Sequence, residues 1–123
     1  MDTTKALAQP VQTAAASQTN ATTTVTITAP SQVGGQNTNT IFVTGIMISA
    51  SAAPAATQRA TVTGPQAANF GINLPAAAFA PIVLPYGTHP LIVTAGANLV
   101  VSVPALGAGV VCDVVVHYYI GTL

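Results

Sequence analysis

Charge is what this sequence lacks most. Charged residues make up 3% of the 123-residue chain, whereas about 25% is usual in soluble domains. The four of them, Asp2, Lys5, Arg59 and Asp113, sum to a net charge of zero. Nucleic-acid binding requires clustered Lys and Arg side chains that displace counterions, and an anionic membrane surface requires a polybasic patch. We therefore expect neither nucleic acid nor a membrane as a partner.

Long uninterrupted apolar runs are also missing, although 50% of the residues are hydrophobic. Pro104, Gly107, Gly109 and Asp113 interrupt the longest stretches, and none approaches the roughly 20 residues of a transmembrane helix. The first ten residues, MDTTKALAQP, contain no apolar core of a signal peptide. The sequence therefore predicts neither a transmembrane helix nor a secretion signal.

Residues that perform catalysis are scarce. The single cysteine, Cys112, excludes an intrachain disulfide. The two acids, Asp2 and Asp113, lie at opposite ends of the chain, and Asp2 belongs to a polar N-terminal segment outside the predicted strands, so a paired-carboxylate mechanism is not expected. Cys112 with His89 or His117 is the one conceivable pair of nucleophile and base. However, Cys112 and His117 are five positions apart on one predicted strand and point to opposite faces. We expect no enzymatic activity and no catalytic residue.

Metal and cofactor sites have little support. His89, His117 and Asp113 are the candidate metal ligands, but Asp113 and His117 would lie roughly 13 Å apart along a strand. Interface or surface hydrogen bonding is the simpler role for all three. The segment from Gly107 to Gly109 does not continue as G-x-G-x-x-G and follows no helix, so we interpret it as a hairpin turn. No metal and no cofactor is expected.

Threonine takes the place of charge, with eighteen residues. Its branched side chain favours strands, and a surface of hydroxyl and amide groups has little electrostatic self-repulsion. Such a surface packs against a neighbour at a lower desolvation cost than a charged one. The composition therefore suits a permanent assembly.

Apolar and polar residues alternate in short segments that are bounded by prolines and glycines. This pattern predicts short strands along most of the chain. In the segment TTTVTIT, for example, Val25 and Ile27 share one face. Another segment, 40–49, is apolar on both faces, with a bulge expected at Gly45. One helical turn is possible at 76–80. The eight predicted strands cover residues 22–28, 40–49, 57–64, 69–74, 82–84, 91–94, 98–103 and 110–119. They predict an all-β, antiparallel β-sandwich over 21–123, and a jelly roll is favoured.

Residues 1–20 are predicted to form a separate N-terminal arm. Leu7 and Val11 are its only sizeable hydrophobic side chains, so this region cannot form a core of its own. Two interpretations remain open, a disordered tail or an extended arm that becomes ordered on a neighbouring subunit. In the second interpretation Leu7, Pro10 and Val11 are the candidate partner-binding residues.

The outward face of the last predicted strand is unusually apolar. Val111, Val115 and Tyr119 share this face with Asp113 and His117. A sandwich covers each sheet on its inner side only, and exposed apolar patches usually mark contacts. The face is therefore covered either by a loop or the arm of the same chain or by another subunit. Val111, Val115 and Tyr119 are candidate partner-binding residues.

The stretch PIVLPYGTHPLIVTAGANLVVSVPALGAGVVCDVVVHYYIG resembles the C-terminal half of small virion proteins of tailed phages. The shared pattern is a proline-glycine turn, a short apolar strand, T-A-G-A-x-L, an alternating strand, a small-residue turn and a valine-rich strand ending in aromatics. These elements are found here at 85–90, 91–93, 94–99, 99–103, 105–109 and 110–119. The resemblance covers about a third of the chain.

Such proteins are jelly-roll cement or decoration proteins of phage capsids. The resemblance implies a homodimer or homotrimer on the exterior of the virion that binds the major capsid protein and clamps neighbouring capsid subunits. It supplies no catalytic residue. A minor fibre or tail-associated sandwich is an alternative. A carbohydrate-binding sandwich that contacts host surfaces is another, but it needs aromatic platforms, and the chain has no Trp and only Tyr86, Tyr118 and Tyr119.

Overall fold

The computed structural model describes residues 10–31 and 39–122, and these residues form nine strands and no helix. The helical turn considered at 76–80 is a pair of bends. No helix long and apolar enough to span a membrane occurs in the described ranges. The strands are β1 Gln12–Thr19, β2 Thr23–Ile27, β3 Thr40–Ala50, β4 Gln58–Thr63, β5 Phe70–Leu74, β6 Ile82–Pro85, β7 Leu91–Ile92, β8 Leu99–Val103 and β9 Val111–Gly121.

The strands form two antiparallel sheets. Sheet A has the order β1-β9-β3-β6, and β7 also pairs with β3; sheet B has the order β2-β8-β4-β5. β6 pairs with Gly45–Ile48 and β7 with Phe42 and Val43, so the two lie end to end along the same side of β3. Each sheet therefore has four strand positions, and most connections cross from one sheet to the other. This is the jelly roll that the sequence predicts. Its eight positions differ from the eight predicted strands, because they include β1 and count β6 and β7 as one position.

The core lies between the two sheets and consists almost entirely of aliphatic side chains. Inward-facing residues alternate along each strand, as a half-buried sheet requires. Val101 of β8 and Val114 of β9 are both 0% exposed. Burying one such side chain contributes roughly 1.5–3 kcal/mol, so the inward-facing side chains of β8 and β9 contribute much of the stability.

The bulge predicted at Gly45 is confirmed, because the register of β3 against β9 shifts between Val43 and Gly45. The hairpin turn predicted at Gly107–Gly109 is wrong. β8 belongs to sheet B and β9 to sheet A, so this segment crosses between the sheets. Alternation along a strand indicates which face is apolar, but it does not indicate which strand is the neighbour.

The structure also moves the N-terminal boundary of the sandwich. Gln12–Thr19, predicted to belong to the arm, form β1 and pair with β9 of the same chain from Gln12–Tyr118 to Thr19–Val111. Ala14 and Ala16 pack against the core. Small side chains suffice in β1 because the valine-rich β9 supplies the apolar surface. Residues 1–9, 32–38 and 123 lie outside the described residues, and Leu7 is among them.

Candidate interface on the outer face of sheet A

The outer face of sheet B is mainly polar, with Val100 as an apolar exception, and several of its side chains form local hydrogen bonds. Thr24 Oγ1 and Ser102 Oγ lie 3.2 Å apart across β2 and β8. Arg59 Nη1 donates to Asn73 Oδ1 at 3.0 Å. The Arg59 guanidinium lies where a Cβ at position 71 would be, so Gly71 is what leaves room for it. This face is well suited to water.

The outer face of sheet A carries an apolar row across its full width. Ala15 of β1 is opposite Val115 of β9, Val115 is opposite Met47 of β3, and Met47 is opposite Val83 of β6. Val83 is 55% exposed, and Val115 and Met47 are half-buried. We call these four residues the central row. Its position on the outside of the sandwich leaves it available to another surface.

A second apolar row lies near one end of the same face. Tyr119 is opposite Phe42, and Phe42 is opposite Ile92 of β7. The two rings stack with centroids 5.0 Å apart and an angle of 8° between their planes. Val11, 59% exposed, precedes β1 at the same end of the sheet. The outer face therefore presents two apolar rows.

Polar residues separate and flank these rows. His117 lies between them, and its Nδ1 is 3.0 Å from Thr13 Oγ1 on β1. Asp113 lies on the other side of the central row, opposite Ser17 and Ser49, and is exposed. These groups supply hydrogen bonds at the margin of an apolar contact, which is where interfaces usually place polar residues.

The candidates for catalysis and metal binding do not come together. Cys112 is buried on the inner face of β9 and His117 is exposed on the outer face. Burial raises the pKa of the Cys112 thiol. The Thr23 hydroxyl lowers this pKa in part, and the Asp113 carboxylate raises it further.

His89 lies in the turn between β6 and β7 beside Thr88. No group of three potential metal ligands occurs among the described residues.

The residues predicted to bind a partner are now located. Val111, Val115 and Tyr119 lie on the outer face of sheet A and are partly exposed, and Pro10 and Val11 are exposed before β1. Sequence reasoning missed Met47 and Val83. The apolar character of both faces of segment 40–49 could have indicated Met47, whereas nothing in the short segment around Val83 distinguishes its outer side.

One cavity, of about 430 Å³, opens between the edges of the two sheets at β1 and β2. Tyr118 donates from its hydroxyl to Gln12 Oε1 at 3.1 Å at this site. Its described lining contains no His, Cys, Asp or Glu. The lining residues are Gln12, Ala14, Thr26, Ile27, Thr28, Pro30, Tyr118 and Ile120.

Comparison with known proteins yields no family. No protein-family model matches the chain, and no curated protein is significantly similar in sequence. Among solved structures, the chain is similar to one described as the virus-like particle of the extra small virus of the giant freshwater prawn Macrobrachium rosenbergii. The TM-score is 0.32 at 12% sequence identity, over 90% of this chain and 79% of that chain.

Proposed function

We propose that the chain is a structural virion protein that binds the outer surface of a tailed-phage capsid and joins neighbouring major capsid subunits. The observation that carries this proposal is the central row, because it places apolar side chains on the outside of all four strand positions of sheet A. The proposal includes no catalytic step and no cofactor.

The two outer faces suggest how the subunit is oriented. Sheet A has apolar rows with polar margins, as expected of a surface that becomes buried against a neighbour. Sheet B has threonine and serine hydroxyls and the exposed Arg59, as expected of a surface that stays in water. In this arrangement sheet A contacts the shell and sheet B faces solvent.

The size of the face supports a repeated contact. Four strand positions at about 4.8 Å and about seven residues at about 3.4 Å give a patch of roughly 450 Å². A stable interface usually buries about 800 Å² on each partner. One such contact is therefore weak, and the proposed binding gains strength from contacts with two or more capsid subunits at once.

The low charge predicts how the binding responds to salt. Ion pairs between exposed groups weaken as salt screens them. Because the central row contains no charged residue, we expect binding to survive at about 1 M salt. The ionisable side chains at its margin are Asp113 and His117, so electrostatic steering contributes little to the rate of binding.

The test is co-sedimentation of the purified chain with expanded capsids assembled from the major capsid protein of the same genome. We expect saturable binding and a higher temperature of capsid disruption. Val115→Asp should weaken binding at least about tenfold, because it places a carboxylate in an apolar contact. Thr61→Asp, on the outer face of sheet B, is the matched control and should bind like the wild type.

Two results would overturn the proposal. One is the absence of binding to these capsids, and the other is an equal loss of binding in Val115→Asp and Thr61→Asp. A glycan array run in parallel addresses the carbohydrate-binding alternative. Binding to a glycan without binding to capsids would favour that alternative.

A further inference from the structure

β1 is an edge strand with one open side. It pairs with β9, and no other described strand pairs with it. Its eight residues, QTAAASQT, include no charged residue, no proline and no glycine. Natural proteins usually protect edge strands with lysine, proline, bulges or short length, because an open edge is a template for pairing. β1 has none of these protections.

The other three edges of the sandwich are shorter or interrupted. β2 and β5 have five residues each, and Pro30 and Pro75 follow soon after them. The edge formed by β6 and β7 is broken between Pro85 and Pro90. An open strand of eight residues at one edge only points to a specific partner for that edge.

The sequence of β1 is nearly symmetric about Ala15, so that residues at equal distances on either side of it are of the same or a similar type. Gln12 corresponds to Gln18, Thr13 to Ser17, and Ala14 to Ala16. We propose that β1 pairs antiparallel with β1 of a second copy of this chain, with Ala15 of one copy opposite Ala15 of the other. The two sheets A then form one continuous sheet across a two-fold axis, as isologous dimers require.

The ends of the strand agree with this register. Pro10 falls opposite Asn20 of the second copy, just beyond the last paired residues. Proline has no N–H to donate to a ladder, and Asn20 has a φ of 47°, which turns the chain out of the extended conformation. The ladder therefore ends at the same place on both strands. Val11 falls opposite Thr19, and these two residues form the outermost pair of the ladder.

This pairing extends the central row. Ala15 ends the row in one subunit and would meet Ala15 of the second copy, so the row continues across eight strand positions. The methyl groups are small enough to let the strands approach to the usual distance of about 4.5–5.5 Å between Cα atoms. The pairing does not depend on shell binding, so its failure would leave the proposed function standing.

Disulfide trapping of the full chain tests the register. Ala15 is exposed, and Ala15→Cys would place two thiols opposite each other, within the 4.4–6.8 Å between Cα atoms that a disulfide needs. Ser17→Cys is the matched control, since its two thiols would be about 14 Å apart along the strands. Under mild oxidation, we expect Ala15→Cys to form a cross-linked dimer at least about tenfold faster than Ser17→Cys. A mixture of Thr13→Cys and Ser17→Cys chains should cross-link as a heterodimer.

Sedimentation equilibrium up to high concentration is the second measurement. The wild type should form a dimer that resists salt. Ala15→Lys should shift it to monomer, because two lysines meet at the axis, whereas Ser17→Lys faces Thr13 and should remain dimeric. A wild-type monomer at every concentration would overturn the proposal. Equal cross-linking of Ala15→Cys and Ser17→Cys would overturn it too.

Discussion

Phe42 and Tyr119 stack face to face across β3 and β9, with their ring centroids 5.0 Å apart. Gly121 makes room for this pair, since a Cβ at that position would stand 2.9 Å from Phe42 Cε2. Stacked aromatic pairs contribute about 0.5–1.5 kcal/mol beyond the area that they bury. We therefore expect a coupling energy of about 1 kcal/mol in a double-mutant cycle of Phe42→Leu and Tyr119→Leu, measured by urea unfolding. A cycle of Phe70→Leu and Tyr119→Leu, on opposite sheets, should be additive; coupling in both cycles would contradict a specific stack.

Val114 and Val115 are neighbours on β9 with opposite surroundings. Val114 is 0% exposed in the core, and Val115 is half-buried on the outer face. Val114→Asp should prevent folding, since an unpaired buried carboxylate costs several kcal/mol. Val115→Asp should lower the free energy of unfolding by about 1 kcal/mol or less. Urea unfolding followed by circular dichroism measures both, and similar losses would mean that the outer face is covered within the subunit.

Deletion of residues 1–20 should be destabilising, because it removes β1 as well as the segment before it. The edge of β9 would lose its hydrogen-bonded partner along eight residue pairs, from Gln12–Tyr118 to Thr19–Val111. Deletion of residues 1–9 is the matched control, since it leaves all nine described strands in place. The expected result is a clearly lower unfolding midpoint for the longer deletion and cooperative unfolding of the shorter one. Equal midpoints would show that β1 contributes little to the fold.

Thr40 is 1% exposed, and its hydroxyl has no hydrogen-bond partner among the described residues. A buried hydroxyl without a partner costs about 1–3 kcal/mol, and valine has nearly the same shape without that group. Thr40→Val should therefore raise the free energy of unfolding by about 1 kcal/mol. Thr61→Val, at an exposed position, should change it little. A loss of stability in Thr40→Val would reveal a partner for the hydroxyl.

Cys112 should make the stability depend on alkaline pH. Burial raises the pKa of its thiol, whereas in the unfolded chain the thiol ionises near about pH 8.5. The unfolded state then loses its proton first, so stability is full below that pH and falls as pH rises through the pKa of the folded state. Urea midpoints between about pH 7.5 and 9.5, below the tyrosine range, should show this fall. Cys112→Ala should flatten the slope, and an unchanged slope would assign it to other groups.

The alternation of apolar and polar residues was enough to predict the strands that have one buried face. Val25 and Ile27 in β2, and Cys112, Val114 and Val116 in β9, all lie on the inner faces where period-two spacing places them. These side chains are large and apolar, so burial decides their orientation. Eight such strands predict two packed layers, and a jelly roll was favoured among the possible topologies because it reduces the number of exposed edges.

The features that depend on neighbouring strands could not be predicted from local sequence. β1 consists of Ala, Ser, Thr and Gln, and it becomes a strand because β9 pairs with it. The central row has members in four segments distant in sequence, and only the register brings Val83 next to Met47. The cavity beside Tyr118 likewise exists only because β1 lies next to β2.

The hydrogen bond between Thr13 and His117 joins residues 104 positions apart in the chain. During synthesis, β1 leaves the ribosome early and must wait without its partner until β9 has emerged. Folds dominated by such distant contacts form slowly, because closing a long loop costs entropy before the contacts form. A chain stalled before residue 111 has no β9 and leaves β1 and β3 unjoined, so sheet A, together with the surface it would offer a neighbour, exists only on chains whose translation has passed that point.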